Sequence, residues 1–104
     1  MMNNEMNEKV IQSYLHDEKM MILVYAQWCI NNELDPRALY QQAYPNQINN
    51  QELEIVLAEL TVSKEESEPI ENQVVIQVLQ LFGNDDLAFV VQNEINKKKS
   101  ERKA

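Results

Sequence analysis

Apolar residues recur every three or four positions along almost the whole chain, and this spacing constrains the fold more than any other feature. Val10, Tyr14, Met21, Val24 and Trp28 fall on one helical stripe. Ile11, Leu15, Ile22, Tyr25 and Cys29 form a second stripe beside it. Both have the period of an amphipathic α-helix rather than the alternation of a strand. Both lose their apolar character at positions 16–19, where His16, Asp17, Glu18 and Lys19 stand. The expectation is one long helix over about 4–32, or two helices broken near Asp17. The second half is apolar nearly all round, which marks it as the central, most buried element.

The next boundaries are written in local chemistry. Asp35-Pro36 is a helix start, because Asp caps free N–H groups and Pro at the first helical position sacrifices no hydrogen bond. Pro45 disfavours helical geometry at Tyr44 and ends that short helix. Asn49, with Glu52 three residues on and flanked by Ile48 and Leu53, reads as a capping box with a hydrophobic staple. It predicts a helix from Asn50 to about Val62, with Leu53, Val56, Leu57 and Leu60 inward. The segment SKEESE at 63–68 is a charged connection, and Ser63 with Glu66 allows one helical turn there. Pro69 then opens a helix to Phe82, apolar except for Gln73, Gln77 and Gln80. Gly83, the single glycine of the chain, closes it in the left-handed region. Asn84 caps a last helix whose buried side is Leu87, Val90, Val91 and Ile95. The fold class expected is all-α: a small bundle of five or six helices ending in an αα-hairpin.

A chain of 104 residues buries about two-thirds of its unfolded surface, enough for one core. The expected organisation is one helical domain over 1–96 and a basic, frayed tail over 97–104. Charge divides at the same point. Residues 1–96 carry 4 basic and 16 acidic side chains, whereas residues 97–104 carry 5 and 1. An acidic body repels phosphates, so nucleic acid is an improbable partner. The N-terminus has neither a basic n-region nor an early apolar h-region, so no secretory signal is expected. The most apolar window, 20–30, rises about 16 Å as a helix against a hydrocarbon core of about 30 Å, so no membrane span is expected. The lone, free Cys29 suggests the cytoplasm. Twelve Asn, ten Gln and one Gly suggest an AT-rich bacterial or phage genome.

Chemistry is sparse. His16 and Cys29 are the only residues able to pair as base and nucleophile, yet on one helix they lie about 19.5 Å apart. One His and one Cys do not make a transition-metal site. Asn84-Asp85-Asp86 lacks the alternating ligands of a calcium loop, and one glycine forbids a Gly-rich phosphate cradle. No catalytic, metal or cofactor residue is expected, and no small-molecule substrate is implied. Two surfaces suit protein partners. Val74, Val75, Val78, Leu81 and Phe82 are a candidate partner or homodimer face. Glu65, Glu66, Glu68 and Glu71 are a candidate acidic docking cluster for a basic partner. Trp28, Tyr25, Tyr40 and Tyr44 are expected to cluster where the first helical stretch meets the Asp35-Pro36 helix. The function expected is a small non-enzymatic interaction module or regulator; the alternative is an acidic, antitoxin-like inhibitor.

Overall fold

The computed structural model describes residues 18–47 and 50–103. The stripe residues Val10 to Leu15, the break at His16 and Asp17, and the proposed cap and staple residues Asn49 and Ile48 lie outside the described residues. Among those described there are five α-helices and no strand: α1 Glu18–Asn31, α2 Pro36–Ala43, α3 Gln51–Glu59, α4 Asn72–Leu81 and α5 Asp85–Lys103. Helix α1 packs against α2, α3 and α4, while α5 closes over α2 and α4. This central place matches the all-round apolar character of α1. Met21, Ile22, Tyr25, Ala26, Gln27, Trp28 and Cys29 are all buried. Trp28, Tyr25, Leu79, Val56, Val75 and Val91 are the largest fully buried side chains, so the core runs through the α3–α1, α1–α4 and α4–α5 contacts.

Helix α2 is bounded as its local signals dictate. The Asp35 carboxylate accepts from the N–H groups of Arg37 (2.9 Å) and Ala38 (3.3 Å). Pro36 is the first helical residue, and Tyr44 is the C-cap. Both ends of α3 and the start of α4 depart from sequence expectation by one to three residues, each for a tertiary reason. The cap of α3 is Asn50, not Asn49; its side chain accepts from Leu53 N–H at 3.2 Å. Asn50 wins because its amino group also donates to the Tyr40 hydroxyl at 3.0 Å, which ties the start of α3 to α2. With Leu53 three residues on, no reciprocal capping box forms. Helix α3 ends at Glu59, short of Val62. The buried Gln27 carboxamide takes both polar groups of the Val62 peptide, donating to its carbonyl and accepting from its N–H at 2.9 Å each.

Helix α4 begins at Asn72 rather than Pro69. The Glu68 carbonyl is engaged by the Asn31 amino group (3.3 Å) and the Ser67 hydroxyl (2.8 Å), and Glu71 is extended. In the acidic connection the Ser67 N–H reaches the Ser63 carbonyl at 3.1 Å, a single turn that goes no further. The basic run at the C-terminus continues α5 to Lys103.

Two helices end in the same way on different residues. Gly83 has φ 74°; its N–H bonds to Gln80 O and that of Asn84 to Leu79 O, the paired pattern of a Schellman cap. Glu33 repeats it after α1 with φ 60°, its N–H bonding Ile30 O and that of Leu34 bonding Cys29 O. A side chain in this region is strained by about 1 kcal/mol, a cost glycine avoids. Glu33→Gly is therefore expected to stabilise the protein by up to about 1 kcal/mol and raise Tm by at most about 4–8 °C. The exposed Lys64–Glu33 pair (3.1 Å) that it sacrifices is worth little. Differential scanning calorimetry checks this; a lower Tm would mean that Glu33 contributes more than its backbone strain removes.

Candidate functional site

The residues singled out by sequence scatter over the structure. Cys29 is fully buried, and burial pushes its thiol up to about 12, with Asp35 and Glu94 adding to the effect and the neighbouring Tyr25 hydroxyl opposing it. It is a packing residue. His16 lies outside the described residues. The aromatic group divides. Tyr40 and Tyr44 pack with ring centroids 5.0 Å apart, and the Tyr25 hydroxyl donates to Pro36 O at 2.7 Å. Trp28 turns the other way, its indole N–H donating to Asn72 Oδ1 at 3.0 Å, so it belongs to the α1–α4 contact. Among the described residues no group of three or more His, Cys, Asp or Glu is placed to hold a metal ion. Asn84 donates to Met21 Sδ at 3.5 Å and accepts from the Tyr44 hydroxyl at 2.8 Å; Asp85 and Asp86 are exposed at the start of α5.

The candidate partner face is not one surface. Val75 and Val78 are buried in the core, Phe82 is half-buried, and only Val74 (41 % exposed) and Leu81 (57 %) face solvent. The reason is the 100° step of the helix: Val75, Val78 and Leu79 make the inward face, Val78 at its edge, while Val74 and Leu81 lie past that edge, about 140° and 160° from Leu79. Among the described residues the most exposed large apolar side chain lies outside that face, Phe89 at 67 %. The signal was available: Phe89 falls off the stripe of Leu87, Val90, Val91 and Ile95. Glu65, Glu66, Glu68 and Glu71 are all exposed, with Glu66 accepting from the Ser63 hydroxyl at 3.1 Å.

Concave features are modest. A cavity of about 30 Å³ between Met21, Tyr25, Tyr40 and Leu87 holds about one water. Two hollows of about 220 and 240 Å³ share Asn72, Ile95 and Lys99 and form one groove between the start of α4 and the last turns of α5. At its edge Lys98 Nζ donates to Asn32 O at 2.6 Å, holding the end of α5 to the end of α1. No described helix is long and apolar enough to cross a membrane.

The described chain is thus an all-α protein with a buried core, exposed apolar side chains of which Leu81 and Phe89 are the barest, an acidic loop and a polar groove. The YxiS family pattern matches residues 2–96, and the chain belongs to the YxiS family. It is similar to the Bacillus subtilis (strain 168) protein named "Uncharacterized protein YxiS", with 50% identity over 95 residues, 90% of this chain and 99% of the relative. No solved structure matches the chain.

Proposed function

We propose that this YxiS-family protein is a small non-enzymatic helical protein that acts as a protein–protein interaction module. The observation that carries the reading is the pair of apolar anchors Leu81 and Phe89, 57 % and 67 % exposed, one on each of two helices joined by residues 82–84. Single exposed apolar residues are ordinary. An aromatic ring left so bare, where the other described aromatic rings are at least partly buried, suits insertion into a partner's pocket. The burial of Cys29 supports the non-enzymatic part, since its thiol is neither accessible nor ionised near neutral pH. The same free thiol favours a cytoplasmic setting.

Phe89→Asp is expected to leave the melting temperature nearly unchanged, as exposed substitutions do, and to abolish association. The measurements are sedimentation velocity for self-association and capture from host lysate with mass spectrometry, run side by side on wild type and variant. A homodimer would shift to a 12.2 kDa species; a hetero-partner would vanish from the captured set. Identical behaviour of wild type and a Phe89→Asp, Leu81→Asp double variant would refute the reading.

The acidic-inhibitor reading draws on Glu65, Glu66, Glu68 and Glu71, whose exposure on one segment suits capture of a basic partner. Such a complex dissociates steeply with salt, whereas one seated on Phe89 does not, so one salt series separates the two.

A further inference from the structure

We infer that the groove between the start of α4 and the end of α5 is a binding site for a small molecule bearing a phosphate or similar oxyanion. Its lining contains donors and cations but no carboxylate. Lys98 and Lys99 stand on one wall, and Asn72 and Gln73 on the other. The chain carries net charge −8, yet no acid lines this groove. The groups are also pre-positioned. Trp28 Nε1 occupies the Asn72 carbonyl oxygen at 3.0 Å, which leaves the Asn72 amino group as the available donor. Lys98 Nζ is held by Asn32, donating to its carbonyl at 2.6 Å and to its Oδ1 at 3.4 Å, which leaves one of its three N–H bonds. Lys99 makes no ion pair among the described residues. Lysine ammonium groups bind phosphate as point charges.

Size and charge select a small ligand. Two joined hollows of about 220 and 240 Å³ suit a phosphate and a compact body resting on Ile76 and Ile95. A polyanion would have to run past Glu68 and Glu71, exposed just before Asn72, and across the acidic body, which repels it. The two lysines lie beyond residue 96, where the family match ends.

Trp28 is the single tryptophan and lines the groove, so its emission reports on occupancy. The full chain is titrated with inorganic phosphate and with adenosine 5′-monophosphate, against sodium chloride at matched ionic strength, by fluorescence and by calorimetry in parallel. A saturable response to the phosphates and none to chloride is expected. Lys99→Glu is expected to weaken it at least about tenfold with Tm unchanged, and Asn72→Asp to weaken it as well. Equal affinity for both probes identifies a free oxyanion; tighter binding of the nucleotide identifies an ester whose body uses the apolar floor. No heat and no emission change up to about 10 mM, well into the weak range for a specific ligand, would overturn the proposal. So would unaltered affinity in Lys99→Glu.

Discussion

Cys29 is expected to resist a thiol-specific reagent such as dithionitrobenzoate while the protein is folded, and to react in full once it is unfolded. The side chain is completely buried, and burial raises its thiol from the ordinary 9.0 to about 12. The thiolate is the reacting form, and a displacement of that size lowers its population about a thousandfold at any pH below 9. The same displacement ties stability to pH. The folded state keeps its proton up to about 12, while the unfolded chain begins to release it near 9.0. Between those values the native protein binds more protons than the unfolded chain, so stability falls as pH rises. Below pH 9 the contribution is complete; above 12 it is gone. Its ceiling is about 4 kcal/mol, a large part of the 5–15 kcal/mol typical of a domain. Tyr25, whose phenol is raised chiefly by burial and then by Cys29, adds to the loss at the alkaline end. Urea unfolding at pH 7, 9, 10 and 11 measures the slope. Cys29→Ala separates the two groups, because it removes the portion that starts at pH 9 and leaves that of Tyr25. Rapid labelling at pH 7 with the native fold intact, or stability flat to pH 11, would show that the thiol is not sealed.

What was legible in the sequence follows from the range of each interaction. Asp35, Pro36 and Pro45 act on their immediate neighbours, and α2 begins and ends where they dictate. Gly83 is equally local, and its left-handed turn lies where the apolar pattern of α4 stops. The boundaries that moved are held across the fold. Gln27 stops α3 by binding Val62, 35 residues away. Asn31 holds the Glu68 carbonyl from 37 residues away, and Tyr40 selects Asn50 over its neighbour. No composition rule encodes these contacts, because they exist only once α1 has found its place. Glu33 is a further case: a left-handed residue without the glycine or asparagine that announces one, fixed by the Schellman bonds around it. The candidate sites divide similarly. The exposure of the acidic loop could be read directly from its lack of apolar residues. The groove could not, since it joins Lys99 to Asn72 only through the packing of α5 on α4.

Replacing Leu79 by Ala is expected to cost about 2–5 kcal/mol, the range for a fully buried leucine, whereas Leu81→Ala should change stability by no more than about 0.5 kcal/mol. The two residues are neighbours but one in the same apolar run. Leu79 is wholly buried and Leu81 is 57 % exposed, because two helical steps carry a side chain about 200° around the axis. For a domain of this size the first change lowers Tm by about 10 °C or more, and the second leaves it within a few degrees. In urea the midpoints separate while the slope stays constant, since neither substitution alters the surface exposed on unfolding by much. The pair also decides how an association test on α4 is to be read. Val78 is 9 % exposed, so Val78→Glu places a carboxylate against the core and unfolds the protein instead of splitting a dimer. Leu81→Asp and Phe89→Asp change the surface alone. Equal losses from Leu79→Ala and Leu81→Ala would mean that α4 buries both of its sides in solution, and the covered face would then include Val74 and Leu81.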